Sequence, residues 1–284
     1  MSFIDTLKYK FKTGTIIDKL IYLNVGVFAV TLLITVLNGL YKGNSNFIVE
    51  WFSLDSNLDA FLTKPWSIIS YGFLHADFIH LLFNMITLYF IGNLFIQYFT
   101  QKQALQFYIL GTLFGGILYL VSQNYFPLFE GENSTLVGAS AGISAIFIGI
   151  ATYMPNYQIK IPLLGFIKFW HLAIVWLAFD VIGLIGANAG GNFSHLGGSL
   201  FGFLYVNQVS NKKIDIFGSF TSFFKRKEKT LKTVHKSAKR KQQTVKNEAP
   251  NQKQIDAILD KISKSGYDTL TKTEKEFLFK QGKR

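Results

Sequence analysis

Long apolar runs separated by short polar links dominate the chain up to about residue 209. About 20 apolar residues are needed to span ~30 Å of hydrocarbon. On that criterion the pattern predicts six helices, at roughly 20–40, 78–98, 105–125, 136–154, 166–186 and 192–209. The start of the fifth is diffuse, because Ile161-Pro162-Leu163-Leu164-Gly165 extends it backward. The fold class expected is an all-α, polytopic membrane protein: a six-transmembrane-helix bundle with a small cytoplasmic helical tail. The boundaries are 1–19 for an N-terminal segment, 20–209 for the membrane domain, 210–253 for a basic linker and 254–284 for the tail.

Loop cations set the orientation. The N-terminal segment carries Lys8, Lys10, Lys12 and Lys19, the 99–104 link Lys102, and the 155–168 link Lys160 and Lys168. The alternate loops hold only Lys42 and Lys64. Both termini are therefore expected in the cytoplasm, and the even number of spans agrees. The N-terminus is polar for some 16 residues, so no cleavable signal peptide is expected. The loop at 41–77 is long and carries Trp51, Phe52, Phe61 and Trp66, which suits a partly helical segment at the membrane interface.

Charge separates the tail from the body. Residues 211–284 hold 20 Lys/Arg against 8 Asp/Glu, while 1–210 hold 9 of each, so the net charge of +12 belongs to the tail. The runs Lys225-Arg226-Lys227 and Lys239-Arg240-Lys241 read as a juxtamembrane segment drawn to the anionic leaflet, at roughly 1 kcal/mol per cation. That account leaves no need for nucleic acid as a partner. From Gln254 a helical hairpin is expected, with Gly266 as a C-cap and Thr271 and Glu274 as a capping box. There is no Cys, so disulfides and thiolate metal sites drop out.

Three polar clusters interrupt the apolar pattern: His75 to Asn84, Val137 to Ser144, and Gly190 to Gly198. Helices two, four and six all run inward from the outer face. His80, Asn84, Ser140 and His195 would then sit roughly 3–9 Å below the outer boundary at 1.5 Å per residue. Polar side chains are expensive there and mark function by default. A serine hydroxyl becomes a nucleophile when a base accepts its proton, and His195 is the candidate base for Ser140. Gly197, Gly198 and Gly202 on one helix, and Gly138 and Gly142 around Ser140, would let the two helices approach closely. His80 and Asn84, four apart on one face, are donors suited to an oxyanion, together with the Ser140 N–H.

Each feature also has a plainer reading. Gly138 and Gly142 suit simple helix packing, a membrane serine often bonds the carbonyl four residues back, and a lone His195 suits the interface. Four such groups at one depth favour catalysis. Asp180, in the outer half of the fifth helix, permits a Ser-His-Asp triad or is a packing carboxylate. His75 and His171 read as interfacial. A metal site from His75, His80 and His195, with Asp77 from the loop, is the weaker alternative; no metal or other cofactor is expected.

At these residues the sequence resembles the rhomboid family of intramembrane serine proteases, over about 66–209. His75 through His80 to Asn84 is similar to the family's second-helix motif, Gly138-Ala139-Ser140 to its nucleophile motif, and Ser194-His195-Leu196-Gly197-Gly198 to its base motif. The resemblance implies a Ser140–His195 dyad without an essential acid, with His80 and Asn84 lining the oxyanion hole. It further implies hydrolysis of peptide bonds in or next to transmembrane segments of membrane-protein substrates, at a cell (inner) membrane. Two positions depart from the pattern: Ala141 stands where a glycine usually follows the serine, and Ser67 where an arginine usually follows the tryptophan matching Trp66. The C-terminal extension is similar to one on some bacterial members. The alternatives kept open are a catalytically inactive rhomboid-like protein that binds transmembrane clients, and a small transporter. The chain shows no internal repeat of the kind transporters carry.

Overall fold

The computed structural model describes residues 2–43, 46–161, 165–211 and 249–281. They fall into two units, one ending at Phe224 and one beginning at Lys225, and each is described by itself. The polybasic runs of the linker lie outside the described residues.

The first unit opens with helix α1 (Phe3–Thr13), followed by α2 (Ile16–Leu40). The apolar pattern alone predicts no helix in the first 16 residues and a first span from residue 20. Two reciprocal caps explain the difference. The Ser2 hydroxyl accepts the Asp5 N–H while the Asp5 carboxylate accepts the Ser2 N–H. Thr15 and Asp18 repeat the arrangement at the head of α2. Ser-x-x-Asp and Thr-x-x-Asp are capping boxes with Asp in the place of Glu, and each satisfies two orphan donors. α2 is apolar all round and leaves Leu23, Val30, Leu33 and Val36 exposed, as a lipid-facing helix does.

The long loop that follows is built of short pieces: α3 (Phe47–Phe52), β1 (Leu54–Asp55), α4 (Leu58–Thr63), α5 (Ser67–Ser70) and a 3-10 turn at Tyr71–Phe73. The rings of Trp51 and Trp66 stack with centroids 6.0 Å apart, and Trp66 Nε1 donates to the Trp51 carbonyl at 2.9 Å. Next come α6 (Phe78–Phe95), capped by Asp77, and α7 (Gln101–Tyr125), capped by Thr100 and Gln103. β2 (Thr135–Leu136) pairs antiparallel with β1, Leu54 against Leu136, and so ties the long loop to the segment that leads into α8 (Ser140–Tyr153).

α8 is the centre of the core: every residue from Ala141 to Ala151 is buried. It starts four residues later than the hydrophobic pattern suggests, because Gly138 adopts φ +136° and interrupts the helical path. The link that follows is a hairpin, β3 (Gln158–Ile161) and β4 (Gly165–Lys168), with Ile159 opposite Ile167. The apolar run had placed the start of the fifth helix inside this hairpin. Gln158-Ile159-Lys160 alternates with the period of a strand, the paired Ile159 and Ile167 are less exposed than their neighbours, and a φ of +81° at Gly165 suits a turn. The fifth helix, α9, covers Phe169–Ile182 with a 3-10 extension to Ile185, and the sixth, α10, covers Ala189–Asn211.

Among the described residues, α2, α6 and α7 are long and apolar enough to cross a membrane by length and composition. α8 and α9 are shorter apolar helices. In the second unit, α11 (Ala249–Ser265) and α12 (Lys272–Gln281) flank a 3-10 turn, with Gly266 at φ +82°. The Glu274 carboxylate accepts the Thr271 N–H at 2.7 Å and pairs with Lys261 Nζ at 3.0 Å. The first of these bonds, aided by the second, holds its pKa down at about 2.

Candidate active site

Three helix N-termini meet where the polar clusters lie. Ser140 is the first residue of α8, so its N–H has no partner within the helix. No side chain caps this end. Such a terminus is electropositive and suited to a developing negative charge. The approach is fixed by the Gly138 N–H donating to the Tyr71 carbonyl at 3.0 Å.

His195 stands in the second turn of α10, with Nε2 2.7 Å from Ser140 Oγ. Its other ring nitrogen, Nδ1, lies 2.7 Å from Asp180 Oδ1 on α9. His195 keeps 19% of its side-chain surface exposed, while Asp180 keeps 7%. Of the two readings that Asp180 permitted, the structure brings the carboxylate to the histidine and into line with the serine.

What lets α10 approach α8 is the absence of side chains on α10. A β-carbon on Gly198 would overlap the Ala141 carbonyl, and one on Gly202 the Ala145 carbonyl. Gly142 behaves otherwise than the sequence pattern implied. A β-carbon there would meet the Tyr108 carbonyl at 2.7 Å, so Gly142 serves the α7 contact rather than the α10 contact. Gly138 does not pack a helix at all. A β-carbon on it would lie 2.9 Å from His80 Nε2 and 3.5 Å from Ser140 Oγ, so its bareness keeps open the space between those two groups.

His80 stands on the α6 side of that space. Asp77 caps α6 by accepting the His80 N–H at 2.8 Å, and one turn later Asn84 is 8% exposed. Its amide Nδ2 is buried with no hydrogen-bond partner among the described residues. A buried amide without a partner is costly and marks a place where an acceptor belongs.

His75 is buried at 6% exposure rather than interfacial, and its ring meets the edge of His80 at 5.1 Å. Burial, then the neighbouring His80, pull its pKa down to about 4. His171 is exposed and lies against Trp170, apart from the site. Among the described residues no group of three His, Asp or Glu side chains forms a metal set, so the histidines do not assemble as the metal alternative requires.

Tyr71 carried no sequence signal, yet it is fully buried behind the site. Its hydroxyl donates to the Thr112 carbonyl at 2.7 Å and lies 3.1 Å from Ser194 Oγ, so it fixes the residue beside His195. Ser194 within the third polar cluster was the one visible sign of such a partner.

A serine hydroxyl bonded to an imidazole, at a bare helix N-terminus and across the bare Gly138 from His80 Nε2, can carry out acyl transfer. Comparison with known proteins identifies the family. Residues 62–212 match the Rhomboid domain, and residues 241–283 match a family of unknown function (DUF6576). The chain is 27% identical over 163 residues to the presenilin-associated rhomboid-like protein A, mitochondrial, of Danio rerio, covering 56% of this chain and 41% of that protein. It is 27% identical over 168 residues to the RHOMBOID-like protein 12, mitochondrial, of Arabidopsis thaliana, covering 55% and 49%. It is 26% identical over 166 residues to the rhomboid protease GlpG of Yersinia pseudotuberculosis, covering 55% and 52%. The chain thus spans about half the length of the curated relatives it matches. The domain match takes in α6 to α10 and every polar group of the site, and the chain belongs to the rhomboid family.

Proposed function

We propose that this protein is an intramembrane serine protease, with Ser140 as nucleophile and His195 as general base. The observation that carries this reading is the 2.7 Å contact between Ser140 Oγ and His195 Nε2 at the head of a buried helix. Oγ attacks the substrate carbonyl as its proton passes to Nε2. The tetrahedral oxyanion is held by the Ser140 N–H, His80 and Asn84. Nε2 then returns the proton to the leaving amine as the C–N bond breaks. Water, deprotonated by the same nitrogen, attacks the acyl-enzyme and frees Ser140. No cofactor takes part.

The substrates are transmembrane proteins, cut within or beside a membrane span. Six helices, α2 and α6 to α10, cross the cell (inner) membrane with both termini in the cytoplasm, and the site opens near the outer face. The basic linker rests on the anionic leaflet. The test is incubation of the purified full chain in detergent micelles with a single-span model substrate, the products being read by mass spectrometry. Cleavage at a defined bond by wild type and none by Ser140→Ala is the expected result. Intact substrate that stays bound to wild type would instead favour a client-binding role without catalysis.

A further inference from the structure

Asp180 has no assigned part in a Ser-His mechanism, yet its setting is unusual. α9 is apolar, and only Phe169 and Asp180 among its residues are buried. A carboxylate in such a helix is costly unless a partner is supplied. The partner is His195 Nδ1 at 2.7 Å, on the side of the ring opposite Ser140. The second carboxylate oxygen, Oδ2, is buried with no partner among the described residues. The whole hydrogen-bonding capacity that Asp180 uses is therefore aimed at one nitrogen.

We propose that Asp180 is a positioning residue. It accepts the Nδ1–H of His195, which leaves Nε2 unprotonated and facing Ser140 Oγ, and it stabilises the imidazolium formed once the serine proton has moved. This inference rests on the proposed Ser140–His195 chemistry and adds a third group to it. The serine proton goes to Nε2, Nδ1–H stays on the ring, and Asp180 remains a carboxylate throughout. The alternative is that the bond simply staples α9 to α10.

Two substitutions separate these roles. Asn at 180 keeps the shape but can turn its amide N–H toward Nδ1, which leaves the proton on Nε2 where a base is required. Ala removes the partner without imposing that tautomer. A staple would be better preserved by Asn than by Ala, whereas a tautomer-setting residue would not.

The experiment measures kcat and KM of wild type, Asp180→Asn, Asp180→Ala and Ser140→Ala on the single-span substrate in micelles, with thermal unfolding of each variant. We expect kcat of Asp180→Asn to fall at least about tenfold, on a scale where enforcing the wrong tautomer in a soluble triad costs about 10⁴-fold. KM and unfolding temperature should stay near wild type, and Asp180→Asn should be no faster than Asp180→Ala. If Asp180→Asn retains wild-type kcat, or clearly outperforms Asp180→Ala, while Ser140→Ala is dead, the positioning role is overturned and the protease reading survives. If Ser140→Ala cleaves as wild type does, or wild type does not cleave, the underlying reading fails and this inference with it.

Discussion

The methyl group of Ala141 occupies the space opposite Gly115. A β-carbon on Gly115 would come within 2.6 Å of it, so the two positions are complementary across the α7–α8 contact. Ala141 is one of the two positions, with Ser67, at which the sequence departs from the pattern it resembles, and the α7 contact accounts for it without touching the α10 side. There the Ala141 carbonyl, not its methyl, meets Gly198. Replacing Ala141 by Gly should therefore cost about 1 kcal/mol of stability through helix propensity and a lost contact, with activity retained. Thermal unfolding in micelles, paired with a cleavage assay, checks both halves.

The α8–α10 contact should tolerate much less. Gly198→Ala forces a methyl into the Ala141 carbonyl, and overpacking of this kind costs typically about 1–3 kcal/mol. Because relief requires α10 to move away, His195 moves with it, and activity should fall well beyond what the stability loss explains. The same change at Gly202, one turn further from the site, should damage stability similarly and activity less.

Asn84 should matter in catalysis more than in folding. Its Nδ2 gives up no bond among the described residues when the side chain is shortened. Removing one oxyanion donor typically costs about 10²–10³ in kcat. Asn84→Ala is expected in that range with KM little changed, and His80→Phe likewise. An Asn84→Ala variant with wild-type kcat would move the oxyanion site elsewhere.

His75 predicts an acid limit to stability. Its folded pKa is about 4, lowered first by burial, against an ordinary value of 6.5. Between those values the unfolded chain binds a proton that the folded chain refuses, so the stabilisation is present above about pH 6.5 and is lost progressively toward pH 4. The window is worth on the order of 3 kcal/mol. Unfolding temperatures in micelles should drop across it, and His75→Gln should flatten the drop; an unchanged slope in that variant would assign the sensitivity to another group.

Much of this was legible in the sequence because membrane burial makes polar residues conspicuous. His80, Asn84, Ser140 and His195 stand out against apolar runs, and the alternating direction of successive spans predicts that they share one depth. Asp180 was visible for the same reason, but the choice between triad member and packing carboxylate was not, since the facing direction of α9 depends on where the preceding turn ends. That turn was hidden because Phe166-Ile167-Lys168 can continue either a helix or a strand, and only the pairing with Gln158–Ile161 decides it. The role of Gly142 was misassigned because small residues predict close approach but not which neighbour approaches. Tyr71 gave no warning, since its partners, Thr112 and Ser194, lie far away in sequence.

The most direct measurement is labelling by a fluorophosphonate probe, which reacts only with an activated serine. Wild type, Ser140→Ala and His195→Ala would be compared as folded full-length chains in detergent micelles. The account predicts labelling of wild type at a single site, Ser140, and none in either variant. Folded wild type that remains unlabelled, or His195→Ala that labels as fast as wild type, would contradict it.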